Sequence, residues 1–415
     1  MRRAPTVFAA ICAVLAVLLP SAQAATDGQP CRTMRARLIA GGGSASGLLV
    51  VDADTGRTVC ARAPGRQRPL ASNMKIFTTA TALSRLGPEY RIATTVLSHG
   101  TLERNGVLRG DLYLKGGGDP ALGLPSFYGR FHGGLGTNLL ALVPQIHEAG
   151  IRTVTGRLYA DDTIFDRLRG VADSGYATSG YIGPLSGLAF DSGYSGPSAR
   201  GFAADPAKLA ATTLAEALGR AGVGIKPTVA LGAAPEDAEQ TAVVRSPRLT
   251  RLVNLTNVYS DNFFAETLIK LLGARFGGEG STTAGAKVVE SFARGHGSGL
   301  HAVDGSGLTR SGRASPAQVV GLLRSLAPTE AGEELIQDMA LTGHEGTVAD
   351  RMRGTAAYGR CRTKTGTLTG VSNLSGYCFN RSGRTMIFSI LMAGVRNLTL
   401  AHHEQDRIAA AIASY

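Results

Sequence analysis

Ser72-Asn73-Met74-Lys75 opens a run, Ser72 to Leu83, that contains neither glycine nor proline and carries apolar residues at Ile76, Phe77, Ala80 and Leu83. That spacing predicts a helix. Residues three apart share a helix face, so Ser72 Oγ and Lys75 Nζ can meet. Pro69 and Leu70 precede the run, and a serine suits a helix N-terminus. A serine hydroxyl is a weak nucleophile until a neighbouring base takes its proton, and a desolvated lysine can be that base. In isolation such a tetrapeptide more often marks an ordinary capped helix. Lysine usage shifts the balance: of 43 Lys+Arg only seven are lysine, at 75, 115, 208, 226, 270, 287 and 364. Where positive charge is all that is needed the chain uses arginine, which cannot give up its proton; lysine can.

The first 24 residues read as a secretory signal: Arg2 and Arg3, an apolar stretch from Val7 to Leu19, then the small-residue site Ala22-Gln23-Ala24. No other stretch is apolar for long enough to span a bilayer. The mature protein is therefore expected to be exported, to the periplasm or the extracellular wall space. Loss of the signal lowers the formal net charge from +12 to +10. Such a balance favours polyanionic partners. The arginines are dispersed and no nucleic-acid motif accompanies them, so an acidic wall polymer is a better partner than nucleic acid. Four cysteines remain, at 31, 60, 361 and 378. An even count in an oxidising compartment suggests disulfides, and three pairings are open. Nearness in sequence favours Cys31–Cys60 and Cys361–Cys378.

The length allows two domains. Gly47 to Arg62 reads as a hairpin turning at Asp54-Thr55-Gly56, and a β-rich stretch with a turn at Asn105-Gly106 follows the Ser72 helix. Residues 95–203 are expected to form an inserted, mostly β domain. The first domain, 25–94, is then resumed over 204–415, starting with a helix at Asp205-Pro206. Further helices are expected at Leu249–Asn254, Phe263–Leu272, Thr283–Arg294 and Pro316–Ser325. Strands at Arg362–Thr369, Ser372–Phe379 and Thr385–Met392 and a last helix at Leu400–Ala413 close the chain. Strands at both ends with helices between them imply an α+β domain, an antiparallel sheet with helices on both faces.

Two further triplets fit the Ser-Lys chemistry. Ser260-Asp261-Asn262 stands before an apolar helix, where Ser260 can relay a proton and the Asn262 amide can hold a substrate carbonyl. Alone, it is more often a simple N-cap. Lys364-Thr365-Gly366-Thr367 lies on a strand. Gly366 leaves room for a peptide to add along that edge, and Lys364, Thr365 and Thr367 can hold a terminal carboxylate. The backbone N–H groups of Ser72 and Thr367 can form an oxyanion hole. Other motifs fail. Gly280 to Lys287 lacks the Gly-Lys-Ser/Thr end of a phosphate loop, and His147-Glu148 and His344-Glu345 lack a zinc helix's second histidine. No metal and no cofactor are expected.

Ser-x-x-Lys, Ser-Asp-Asn and Lys-Thr-Gly, in this order, form the set shared by serine β-lactamases and penicillin-binding proteins. The chain resembles the class C low-molecular-mass penicillin-binding proteins, the D-alanyl-D-alanine carboxypeptidase/endopeptidase group, which carries a large insertion between its first two motifs. Gly117 to Pro120, Asp304 to Leu308 with Arg310, and Gly346-Thr347 are similar to that group's secondary signatures, although Glu345 stands where the family usually shows Asp. The resemblance implies a penicillin-binding/β-lactamase-like transpeptidase fold. It implies Ser72 as the acylated nucleophile and Lys75 as its base, with Ser260 and Asn262 lining the cleft. Lys364, Thr365 and Thr367 would hold the carboxylate of peptidoglycan stem peptides ending in D-Ala-D-Ala, and β-lactams would be covalent inhibitors. Family members also recognise the free end of a diaminopimelate side chain; Asp161 and Arg310 match that role. A β-lactamase needs a deacylating base, and no Glu-x-x-x-Asn segment occurs. A third reading is a non-catalytic wall-binding or β-lactam-sensing module; a sensor would need a membrane span or signalling domain.

Overall fold

The apolar runs at the two ends of the chain pair into one sheet. In the computed structural model, which describes residues 28–415 except 197 and 227, six strands lie side by side. Their order is Ala340–Leu341, Cys361–Leu368, Val371–Phe379, Thr385–Ala393, Gly47–Asp52 and Thr58–Arg62. All five neighbour pairs are antiparallel. The signal proposed for residues 1–24 lies outside the described residues. Side chains alternate between two cores, because successive strand residues point to opposite faces. Leu48, Val50, Leu374, Phe388 and Ile390 meet the helices Gln29–Gly42 and Leu398–Ser414. Val51, Tyr377 and Ile387 meet a larger group that includes Met74–Leu86, Leu249–Val258, Asn262–Phe276, Thr282–Gly295 and Pro316–Leu326. Burying a side chain such as Phe77, which is 0% exposed, stabilises the fold by about 1.5–3 kcal/mol. Covered on both faces, the central strands read as apolar runs rather than as alternation.

Two disulfides fasten this domain, in the pairing favoured by nearness in sequence. Cys31–Cys60 ties the first helix to the edge strand, and Cys361–Cys378 joins residues that face each other across two strands. The helix Gln29–Gly42 is absent from the sequence-based expectation. Its buried side chains are only Cys31, Met34 and Leu38, spaced among arginines, so its apolar stripe is too narrow to announce itself.

The insertion has its own sheet, ordered Val229–Leu231, Leu158–Asp161, Val107–Lys115, Ala93–Leu102 and Glu239–Arg245. The expected limits of 95 and 203 therefore need correction. The strand Ala93–Leu102 starts earlier, and Glu239–Arg245 pairs with it. The helix Pro206–Arg220, expected to resume the first domain, instead puts Ala207, Ala210, Ala211, Leu214 and Leu218 into the core of the insertion. An amphipathic stripe shows that a helix packs, not on what. The unit is also mixed rather than mostly β, since two of its pairs along the path are parallel and helices cover it. The chain returns to the first domain at Leu249.

Candidate active site

The turn that carries Ser72 begins as a short 3-10 turn, Ala71–Asn73, and continues as the helix Met74–Leu86. Ala71 has φ 46°, a conformation that costs an L-residue energy and survives only where surroundings enforce it. Two surroundings do so here. A Cβ on Gly307 would collide with the Ala71 carbonyl, and one on Gly366 would lie 2.9 Å from Leu70 O and 3.1 Å from the amide nitrogens of Ser72 and Asn73. The glycine of Lys364-Thr365-Gly366 is thus required by that turn pressing on the strand. This close packing stands beside the role expected for it, room for a substrate, since Gly366 also lines the cleft.

Asn73, inside the motif but not foreseen as functional, fastens the two elements. Its amide donates to Lys364 O at 2.9 Å and accepts from Ser375 Oγ at 2.7 Å. Asn373 adds two bonds from the next strand, to Pro69 O at 3.0 Å and Leu70 O at 2.8 Å. A polar side chain on an otherwise buried strand was the available signal.

Lys75 is fully buried. Its Nζ donates to Ser72 Oγ at 3.0 Å, Asn262 Oδ1 at 2.7 Å and Ser306 O at 3.0 Å. All three are neutral acceptors. Burial pulls its pKa down to about 8, against the opposing charges of Glu266, Asp261 and Asp304. Lys364, also fully buried, donates to Ser260 Oγ at 2.9 Å and to Thr365 O at 3.0 Å. Burial, and then the nearby positive charge of Lys75, hold it well below the usual lysine range.

The Ser-Asp-Asn triplet divides its labour. Asp261 is the cap, accepting from Phe264 N at 2.9 Å. Ser260, at φ 61°, and Asn262 are thereby free to reach the two lysines. Asn262 also donates to Tyr181 O of the insertion at 3.0 Å. Ser72, Ser260, Asn262, Thr365, Gly366 and Thr367 line one cleft of about 1020 Å³, and the insertion contributes Val171, Asp173, Ser174, Ser179 and Tyr181 to its wall. Thr347 lines it too, bonded to Thr365 through their hydroxyls at 2.8 Å.

Asp161 is not part of the cleft. It is 1% exposed, and its carboxylate accepts from Thr163 N at 3.0 Å and Ala234 N at 2.9 Å, tying loops within the insertion. A loop aspartate in sequence cannot reveal that its own backbone neighbours consume it. Arg310 is exposed beside the cleft, donating to Thr369 O at 2.7 Å. No group of His, Cys, Asp and Glu able to hold a metal occurs among the described residues.

A cleft serine bonded to a buried lysine under an antiparallel sheet edge, with helices on both faces, defines the penicillin-binding class of serine acyl enzymes. Within it, the chain belongs to the D-Ala-D-Ala carboxypeptidase 3 (S13) family, which it matches over residues 37–204 and 197–414. It is 33% identical to the D-alanyl-D-alanine carboxypeptidase of Actinomadura sp. (strain R39), over 90% of this chain and 82% of that one. A carboxypeptidase of Mycobacterium tuberculosis is 29% identical over 82% of this chain and 75% of its own length. The fold matches that of penicillin binding protein 4 from Haemophilus influenzae with a TM-score of 0.77 and 20% identity, covering 93% of this chain and 99% of that one. A second structure of that protein holds a β-lactam.

Proposed function

We propose that the protein is a serine D-alanyl-D-alanine carboxypeptidase/endopeptidase that cleaves peptidoglycan stem peptides through an acyl-enzyme on Ser72 and is acylated there by β-lactams. The observation that carries this reading is the fully buried Lys75, 3.0 Å from Ser72 Oγ and bonded only to neutral acceptors. A lysine held so can release its proton near neutral pH. Ser72 Oγ attacks the carbonyl carbon of the penultimate D-Ala while Lys75 takes its proton. The N–H groups of Ser72 and Thr367 stabilise the oxyanion. The departing amine is protonated through Ser260, which accepts from Lys364. Water then hydrolyses the ester. Thr365 and Thr367, with Thr347, hold the terminal carboxylate. Arg310 serves the stem side chain, and Asp173, an acid on the cleft wall, supplies the carboxylate role that buried Asp161 cannot. The site of action is the wall space outside the cytoplasm, to which the basic charge and the two disulfides are suited.

The test is turnover of a peptide ending in D-Ala-D-Ala, together with mass-spectrometric detection of a penicillin adduct on Ser72. Lys75→Arg keeps the charge but cannot deprotonate. It should fold normally and lose both activities by about 10²–10⁴-fold, the usual contribution of a general base. A folded Lys75→Arg protein that acylates at the parental rate would remove Lys75 as the base.

A further inference from the structure

Glu266 lies one helical turn after Asn262 on the helix Asn262–Phe276, and no part of it is exposed. Asn262 and Glu266 therefore point the same way. Asn262 touches the Lys75 ammonium directly. Glu266 reaches the same lysine through the backbone: its Oε1 accepts from Ser306 N at 2.7 Å and Gly305 N at 3.1 Å, and Oε2 lies 3.2 Å from Gly305 N. Ser306 then offers its carbonyl to Lys75. The same loop is closed from its other side by Asp304, which accepts from Gly307 N at 2.7 Å and Thr309 N at 2.6 Å. Thr78, one turn along the nucleophile helix, donates to Gly305 O at 2.8 Å. Two carboxyls that touch no substrate thus grip the loop that meets the acylation base.

Burying two carboxyl groups is costly, and a loop could be held by neutral amides instead. Their charge therefore needs a purpose. We infer that Glu266, seconded by Asp304, is a positioning residue for acylation: it fixes the Ser306 carbonyl against Lys75 and supplies the buried negative charge that sets the pH at which Lys75 yields its proton. This rests on Lys75 being the base. The groups that face Lys75 are Glu266, Asp304 and Asp261, which favour its protonated form, and Lys364 across the cleft. Glu266 faces Asp304 and Lys75 and also Lys270, further along its own helix. Burial and the neighbouring Asp304 push the Glu266 carboxyl up to about 7, so its ionisation falls in the range where Lys75 titrates.

The experiment is the pH profile of the second-order rate of Ser72 acylation by a penicillin, in parental protein and Glu266→Gln. The amide keeps the shape and one acceptor oxygen but removes the charge. Neutral Lys75 is the reactive form, so the parental rate should rise with pH through about 8. Without the opposing charge Lys75 deprotonates more easily, and the rising limb should move to lower pH by about one unit. Glutamine that merely loosens packing would lower the rate at every pH and leave the limb in place, and that result overturns the inference. Where Glu266→Gln is not recovered folded, Asp304→Asn removes one unit of the same buried charge and is read identically. Lys75→Arg keeps the two ideas apart. If it abolishes acylation while Glu266→Gln leaves the limb unmoved, only the role of Glu266 fails. If it acylates normally, the base itself is elsewhere.

Discussion

At the scale of single residues, the site depends on contacts that have no tolerance. Gly366 shows this best, because its Cα faces the amide nitrogens of Ser72 and Asn73. In Gly366→Ala either the strand or the turn that carries Ser72 must give by a few tenths of an ångström. Overpacking of this kind costs about 1–3 kcal/mol, which a domain with cores on both sheet faces can absorb. Misplacing a nucleophile is dearer in rate: a shift near 1 Å can cost about 10². The expected result is a folded protein whose melting temperature falls modestly and whose penicillin acylation falls measurably, by up to about that factor. Parental acylation by Gly366→Ala would mean that the close approach does not position Ser72. The three motifs were legible because their side chains do chemistry that few residue types can do. Asn73, Glu266 and the Ser306 carbonyl were not, since a positioning group works through backbone atoms that every residue carries. Asp161 failed for the converse reason: a carboxylate suited to a ligand was taken up by its own loop.

At the scale of elements, the strand Cys361–Leu368 is both a wall of the cleft and the structural partner of the turn that carries Ser72. Its register with Val371–Phe379 runs unbroken from Cys361–Cys378 to Leu368–Val371. The disulfide closes the far end of that ladder, its cysteines 17 positions apart in sequence. A loop of that size should contribute about 2–4 kcal/mol through the unfolded state. The double variant Cys361→Ser/Cys378→Ser should therefore unfold at a clearly lower urea midpoint; an unchanged midpoint would show that the bridge is idle. Helices with broad apolar stripes, such as Pro316–Leu326, were found in the sequence almost to the residue. The short edge strand Ala340–Leu341 and the first helix were not. Two residues carry no periodicity, and three buried side chains among arginines carry little.

At the scale of the whole molecule, the insertion and the peptidase-like domain share one cleft, and what holds them in register sets the shape of that cleft. Lys270, one of the seven lysines, lies on the same helix as Asn262 and is buried beneath the insertion. Its Nζ makes a short ion pair with Asp166, donates to Leu168 O at 3.0 Å and stands 5.9 Å from the Phe165 ring centre. The segment it grips runs directly into Val171, Asp173 and Ser174 on the cleft wall. Removing the lysine leaves Asp166 uncompensated, the costly way to break a buried pair. Because Asp166 keeps some access to water, the loss should be a loosened wall rather than an unfolded domain. Lys270→Met should then reduce turnover of a stem peptide about 10-fold or more, since a peptide must be positioned along that wall. Hydrolysis of a small thioester, too short to need positioning along that wall, should change far less. Adding Asp166→Leu removes the stranded charge and should restore part of the peptide turnover. Equal losses on the two substrates would show that Lys270 supports the helix of Asn262 and Glu266 rather than the wall, and the insertion would lose its assigned part in selecting the stem.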